Sequence, residues 1–211
     1  MKVLNLYACL GGNRLLWDNC EVTAVELDTE LARLYQERFP NDTVIVTDAH
    51  QYLLDHYKEF DFIWSSPPCP SHSRVRHSQK NRENIKPIYP SMILYEEIIF
   101  LENHFEGKFV VENVIPYYEP LIPAIKRGRH LYWTNFYLPN ILSTRKVNIG
   151  SGTDEVRKLE IFHKIDLTNY KGPQRKDKIA RNLVDYEAGK TIFDTARGIM
   201  QENKTNQIQM F

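Results

Sequence analysis

Residues 3–28 read VLNLYACLGGNRLLWDNCEVTAVELD, and this stretch decides the fold. It holds two short apolar runs, Val3–Tyr7 and Val22–Leu27, each of a length suited to a β-strand. The first run leads into a glycine pair, and the second ends in Glu26. A glycine turn after one strand and a carboxylate at the end of the next are typical of a parallel α/β sheet with a ligand site beyond its strand ends.

The same alternation continues along the chain. Further apolar runs occupy residues 44–46, 60–64 and 109–111, and apolar residues at helical spacing lie between the runs. Strands that alternate with helices predict an α/β fold, in which a mostly parallel central sheet carries helices on both faces. The strand order stays open. Each run ends in polar or glycine residues, which favours a functional site at the carboxyl edge of the sheet.

The last third of the chain is less regular. Between Leu138 and Gly172 the periodicity fades, which predicts loops with a short hairpin or two, and Asp185–Met200 predicts a returning helix. The 211 residues fit one domain of ordinary composition, with 42% hydrophobic and 26% charged residues. We therefore expect residues 1–211 to form a single catalytic domain.

Charge and cysteine content limit the possible functions. The 27 basic and 27 acidic residues balance, so nucleic-acid binding would need local patches. No apolar run is long enough for a membrane span, and the start is too short and polar for a signal peptide. The three cysteines have no metal-ligand spacing, which favours a reducing cytoplasm and no bound metal.

The first three strand ends predict a nucleoside site. Gly11-Gly12 would let the backbone and a following helix approach a ligand, Glu26 would accept hydrogen bonds from ribose hydroxyls, and Asp48 would contact an adenine amino group. There is no P-loop, and two adjacent glycines do not make a dinucleotide fingerprint. The ligand expected is therefore S-adenosylmethionine, although Gly11-Gly12 alone is equally compatible with a bare turn.

The fourth strand end presents a cysteine. Residues 65–73 read SSPPCPSHS, in which the prolines hold Cys69 in an extended turn. The basic residues between Arg74 and Lys86 would lower the pKa of the thiol and grip phosphates. The alternative is a buried structural cysteine beside a solvated basic loop.

Five motifs together resemble the DNA cytosine-5 methyltransferase family. Pro68-Cys69 and Glu112-Asn113-Val114 are similar to its nucleophile and Glu-Asn-Val motifs. Tyr7–Gly12 resembles its Phe-Ala-Gly-x-Gly-Gly cofactor motif, Arg127-Gly128-Arg129 its Arg-x-Arg motif, and Arg181–Val184 its last cofactor motif, which returns to the first strand. The motifs occur in family order and cover nearly the whole chain.

The resemblance implies a Rossmann-like class I S-adenosylmethionine-dependent methyltransferase fold and a role for each motif. Cys69 would add to carbon 6 of cytosine, Glu112 would hold N3 and the exocyclic amine, and Arg129, with Arg127 as the alternative, would contact O2. The base would be flipped out of a duplex or arrive unpaired. S-adenosylmethionine, which leaves as S-adenosylhomocysteine, would be bound by Tyr7, Ala8, Gly11, Gly12, Glu26, Leu27, Asp48, Ala49, Pro67, Asn182 and Val184.

Three departures from the family pattern bear on function. Cys9 replaces a glycine of the cofactor turn, and Pro70 replaces the glutamine that follows the nucleophile. A full target-recognition domain does not fit between Asn135 and Arg181. Residues of about 138–175 are therefore predicted to form a reduced target-recognition region, and we expect the chain alone to have weak or short sequence specificity. Nucleic acid would be contacted mainly through phosphates, by Ser71, Ser73, Arg74, Arg76, Lys80, Arg82, Arg175 and Lys176.

Several alternatives stay open at this point. The leading hypothesis is an active DNA methyltransferase of a bacterial cytoplasm or phage-infected host, from a restriction-modification system, phage or mobile element. An RNA cytosine-5 methyltransferase, a catalytically silent DNA-binding homologue and a parallel-sheet protein with unrelated chemistry are the others. A homodimer or a partner subunit could supply the missing specificity.

Overall fold

The computed structural model describes residues 1–79, 86, 88–147 and 154–199. Within these residues, seven strands form one sheet in the order β3-β2-β1-β4-β5-β7-β6. The strands are β1 Lys2–Leu6, β2 Glu21–Glu26, β3 Thr43–Val46, β4 Phe62–Ser65, β5 Lys108–Val114, β6 Ile125–Arg127 and β7 His130–Thr134. All neighbouring strands are parallel except β7, which runs antiparallel to both β5 and β6.

The strand order places a switch point between β1 and β4. From β1 the chain proceeds outward to β2 and β3, then returns to the other side of β1 for β4 and β5. Leu6 of β1 is level with Ser65 of β4, and Ser65 is level with Val111 of β5. Ligands of open α/β sheets bind in the crevice beyond the strand ends at such a point.

Helices cover both faces of the sheet, as the sequence predicts. They are α1 Thr29–Arg38, α2 Ala49–His56, α3 Arg74–Ser78, α4 Ile93–His104, α5 Glu155–His163, α6 Lys176–Asn182 and α7 Tyr186–Ala196, with a 3-10 turn at Tyr57–Glu59. Leu53 of α2 and Ile98 of α4 pack on one face with Leu4 and Ile63 of the sheet. Ile192 and Phe193 of α7 pack on the other. The predicted α/β fold is confirmed.

Two local predictions were wrong. No helix follows Gly12: residues 12–16 form successive turns, in which Arg14 N–H donates to Gly11 O and Trp17 N–H to Arg14 O. The returning helix α7 packs on this segment, because Trp17 stacks on Phe193 with ring centroids 4.9 Å apart and donates to Gly189 O at 3.0 Å.

The second error concerns the irregular last third. In the described part of residues 138–172 there is no hairpin, and α5 occupies Glu155–His163. The sequence does not predict this helix because the apolar face of α5 is sparse: Leu159 is buried while Ile161 is exposed. Leu159 packs with Leu167, Tyr170 and Ile179, so α5 and α6 share a small core of their own.

Candidate active site

The turn after β1 is unusual in its backbone. Tyr7, Cys9 and Gly11 have φ of 56°, 48° and 64°, and two of the three are not glycine. A left-handed conformation costs a non-glycine residue roughly 1–2 kcal/mol. Cys9 therefore adopts the backbone shape that a glycine would take without strain. Gly11 is irreplaceable, because a Cβ there would lie 2.5 Å from the Phe39 ring.

Glu26, at the end of β2, holds this turn in place. One carboxylate oxygen accepts the Cys9 N–H at 2.8 Å and the other accepts the Asp28 N–H at 2.9 Å. Burial, and next the charge of Glu26, raises the pKa of the Cys9 thiol to about 12, so Cys9 stays neutral. A carboxylate has about four acceptor positions, so Glu26 can hold the turn and still accept from ribose hydroxyls.

The other predicted cofactor residues surround the turn. Leu27 is 68% exposed, and the exposed Asp48 caps α2 by accepting the Gln51 N–H at 2.8 Å. A Cβ on Gly12 would lie 2.5 Å from Val184 O, so the last motif does return to the first. A glycine cradle with two acidic strand ends and an apolar rim fits the nucleoside part of S-adenosylmethionine.

The turn that carries Cys69 is braced on the loop after β5. Cys69 O accepts the N–H groups of His72 and Ser73 at 3.0 and 3.1 Å. Arg74 Nε donates to Pro116 O at 2.8 Å, and His72 Nδ1 lies 2.5 Å from the Tyr118 hydroxyl. These contacts hold the segment after the cysteine without help from a ligand.

Asn113 ties this turn to the end of β5. Its Nδ2 donates to Pro67 O at 2.9 Å from a buried position. Glu112, its neighbour, is buried and lies close enough for its charge to act on Cys69. The bond from Asn113 to Pro67 therefore places the Cys69 turn beside the end of β5, where the charge of Glu112 acts on the thiol.

The electrostatic prediction for Cys69 was wrong. Burial, and next the negative charge of Glu112, raise the pKa of the thiol, and no basic residue in the described part of the chain lowers it, Lys80 and Arg82 being outside that part. Arg74 points instead to Pro116 O, and Arg76 to Lys86 O at 3.4 Å. The described surroundings of Cys69 therefore favour the neutral thiol over the thiolate.

The two arginines of the Arg-x-Arg motif have different surroundings. The Arg127 guanidinium donates to the backbone carbonyls of Lys126, Leu138 and Pro139 at 2.6–3.0 Å. Arg129 is exposed at the β6–β7 turn, and both arginines line a cavity of about 870 Å³. The cavity also includes His130 and Tyr132, and His130 Nε2 lies 3.5 Å from Glu112 Oε1. Of the two arginines, the geometry favours Arg129 for contact with a ligand beside Glu112.

A family model for C-5 cytosine-specific DNA methylases matches residues 1–116, more than half of the chain. The chain belongs to this family. The match contains the cofactor turn, Cys69 and the Glu112-Asn113 pair, and the mostly parallel seven-stranded sheet is the class I S-adenosylmethionine-dependent methyltransferase fold. No curated protein matches the chain.

Solved structures show likenesses of limited extent. A Spodoptera frugiperda DNMT2 mutant has 26% identity and a TM-score of 0.40, with 54% of this chain and 35% of that chain covered. A hypothetical protein from Thermus thermophilus has 17% identity and a TM-score of 0.44, with 63% of this chain and 73% of that chain covered. An Escherichia coli prophage protein described as a putative DNA modification methyltransferase has 19% identity and a TM-score of 0.39, with 56% of this chain and 34% of that chain covered. This chain thus spans about a third of the DNMT2 chain that it resembles.

The predicted nucleic-acid residues fall into two separate groups. Ser71 accepts the Ser91 N–H at 3.0 Å and Ser73 pairs with Pro116, so both brace the Cys69 turn, whereas Lys80 and Arg82 lie outside the described residues. Arg175 pairs with Asp177 at 2.9 Å, and Lys176 donates to Thr168 O at 3.3 Å. Among the residues with coordinates described, no hydrogen bond or ion pair joins the two groups.

Three residues near the site were not anticipated from the sequence. They are His130 beside Glu112, His72 with one buried unpartnered ring nitrogen, and Glu97, which is fully buried in α4. Only Glu97 had a readable signal, since it lies three residues after Leu94 and four before Leu101 on the apolar face of its helix.

The described ranges lack both a candidate metal site and a candidate membrane-spanning helix. They contain no group of three or more His, Cys, Asp or Glu side chains arranged to hold a metal ion. None of their helices combines the length and apolarity needed to cross a bilayer.

Proposed function

We propose that this chain transfers a methyl group from S-adenosylmethionine to carbon 5 of cytosine in DNA, with Cys69 as the nucleophile. The observation that carries the proposal is the bond from Asn113 to Pro67, which ties the Cys69 turn to the end of β5 next to Glu112, whose charge acts on the Cys69 thiol. A cysteine and a buried carboxylate at the carboxyl edge of the sheet, the edge that also carries the glycine cradle, are the groups that cytosine-5 chemistry needs.

Carbon 5 of cytosine is a poor nucleophile, and the protein must activate it. Addition of the Cys69 thiolate to carbon 6 makes the ring an enamine, whose carbon 5 can attack an electrophilic methyl group. Bound S-adenosylmethionine supplies that methyl group on a sulfonium. Loss of the carbon 5 proton then expels the thiolate and restores the aromatic ring.

Glu112 and Arg129 would hold the base during these steps. Glu112 would hold N3 and the exocyclic amine and favour protonation of N3 as the thiolate adds, so the charge that develops on the ring is neutralised. Arg129 is free to contact O2 from the β6–β7 turn. Its positive charge, brought near Cys69 with the substrate, would also offset the effect of burial and of Glu112 on the thiol.

The segment of about residues 138–175 is proposed as a reduced target-recognition region within a single catalytic domain. Residues 140–143 and 145–147 line the cavity together with α5, and Tyr170 donates to Asp28 at 3.2 Å beside the cofactor turn. This segment offers little surface for base-specific contacts, which supports weak or short sequence specificity and phosphate contacts from Arg175 and Lys176.

A methyl-transfer assay tests the proposed function. Labelled S-adenosylmethionine is incubated with the full chain and with duplex DNA, single-stranded DNA or RNA of random sequence. We expect label at carbon 5 of cytosine in DNA, and none with Cys69→Ser. Label in RNA alone would assign the chain to RNA methylation, and binding of the cofactor without transfer to any substrate would favour a silent homologue.

A further inference from the structure

Glu97 in α4 is a buried carboxylate on which side chains from the ends of β1 and β4 and from the start of α2 converge. Its side chain is 0% exposed. Oε1 accepts the Tyr7 hydroxyl at 2.6 Å and lies 3.2 Å from His50 Nδ1, and Oε2 accepts the Ser65 hydroxyl. A buried carboxylate is stable only when its acceptor positions are filled, and here three side chains from other elements fill them.

Each of these three partners stands next to a residue of the proposed site. Tyr7 begins the cofactor turn after β1, His50 follows Asp48 and Ala49 at the start of α2, and Ser65 ends β4 just before the Cys69 turn. Glu97 is thus linked directly to the segments that carry the glycine cradle, Asp48 and Cys69. In the described sheet, β3, which precedes Asp48, is hydrogen-bonded to β2 and not to β1 or β4. The sheet therefore joins the Asp48 segment to the other two segments only indirectly.

The contact with Tyr7 has a specific consequence. Tyr7 has a left-handed backbone conformation, φ 56°, which an aromatic residue adopts only when its surroundings hold it. Its ring packs against the core that α2 and α4 form with the sheet, and its hydroxyl is fixed on Glu97. Glu97 therefore holds one strained residue of the turn by its side chain, while Glu26 holds the next, Cys9, by its backbone.

We propose that Glu97 is a positioning residue that shapes the cofactor site through Tyr7 and His50, although it lies beneath the site and touches no ligand. This inference rests on the proposed function, because it needs S-adenosylmethionine as the ligand of the turn. Loss of the Glu97 charge frees Tyr7 to leave its strained conformation, and the cradle loses its shape before any ligand arrives.

Binding of S-adenosylhomocysteine to the full chain, measured by calorimetry together with the melting temperature, tests the proposal. For Glu97→Gln we expect affinity to fall by about tenfold, the lower range for a lost hydrogen bond to a charged group. The matched control is Glu96→Gln in the same helix: Glu96 is 58% exposed and also faces His50, at 3.6 Å, and its loss should change affinity by less than about twofold.

Tyr7→Phe removes only the hydroxyl and should weaken binding by about threefold. In the double variant Tyr7→Phe/Glu97→Gln the two losses should not add, because the two groups act as a pair. Unchanged affinity in Glu97→Gln, even with a lower melting temperature, would overturn the inference, as would fully additive losses. If Glu97→Gln does not fold, unchanged affinity in Tyr7→Phe overturns it. A wild-type chain that binds no S-adenosylhomocysteine would overturn both the inference and the proposed function.

Discussion

The proposed active site has two sides that are built in different ways. On the strand-end side, the cofactor turn and Cys69 follow parallel strands, Glu112 lies near the end of β5, and buried bonds such as that from Asn113 to Pro67 tie the segments together. On the hairpin side, Arg129 and His130 stand at the β6–β7 turn, at the edge of the sheet, with Arg129 exposed. The strand-end side is pre-organised for the reaction, whereas the hairpin side is free to adjust to a substrate. Substitutions on the first side should therefore affect chemistry, and those on the second should affect substrate binding.

The largest effect is expected from Glu112→Gln on the strand-end side. Glutamine cannot donate a proton to N3, so methyl transfer should fall by about 10²- to 10⁴-fold. Affinity for S-adenosylhomocysteine should stay within about twofold, because Glu112 is not among the proposed cofactor residues. Single-turnover transfer and binding calorimetry measure the two quantities. A large loss of cofactor affinity would mean that the strand ends do not act as separate parts.

The pH dependence should also arise on the strand-end side. Burial and Glu112 raise the pKa of the Cys69 thiol in the free protein, and only the thiolate is nucleophilic. Below that raised pKa, kcat/KM should increase by about tenfold per pH unit and then level off. Rates of transfer measured from about pH 6 to pH 10 test this, with the melting temperature as a control for folding. A profile that is flat near neutral pH would mean that Cys69 is already ionised.

Arg129 and Arg127 provide a matched pair on the hairpin side. Arg129→Ala should lower transfer by about tenfold, by loss of one charged contact to the base, and leave the melting temperature unchanged. Arg127→Ala removes the donor from three backbone carbonyls, so it should lower the melting temperature instead. Measuring both properties for both variants decides the roles. The opposite pattern would exchange the two arginines.

The smallest effect is expected from the basic residues of α6. Lys176→Gln should weaken DNA binding by a few-fold, about equally for all sequences. The binding constant should also fall less steeply with salt concentration, by the amount expected for the loss of about one phosphate contact. Lys108→Gln is the control, since Lys108 is exposed at the start of β5, on the opposite edge of the sheet from the site. Equal losses in the two variants would remove α6 from the binding surface.

Sequence reasoning succeeded where the pattern is local. The five apolar runs became β1 to β5, and the alternation with helices predicted the fold class, because a strand buried on both faces must be apolar along its length. Pro68-Cys69 and Glu112-Asn113 were readable as motifs for the same reason: the first lies just after β4 and the second lies in the last residues of β5. Their roles as site residues remain predictions.

What the sequence could not show depends on contacts between distant segments. Burial of Cys69, and next the charge of Glu112, raise the pKa of the thiol only once β4 and β5 are paired, so the direction of that pKa was predicted wrongly. The turns after Gly12 need no helix because α7, about 180 residues later, covers them through Trp17 and Phe193. Helix α5 was missed because its buried residues contact α6 and the 165–170 loop, so its own periodicity is weak.

The most direct test of the proposed chemistry traps the covalent intermediate on Cys69. DNA that contains 5-fluorocytosine cannot release the nucleophile, because the fluorine at carbon 5 is not lost as a proton would be. We expect a denaturant-stable adduct that requires S-adenosylmethionine, maps to Cys69 by peptide mass spectrometry and is absent in Cys69→Ser. An adduct on another residue, or methyl transfer to ordinary cytosine that persists in Cys69→Ser, would contradict the central claim.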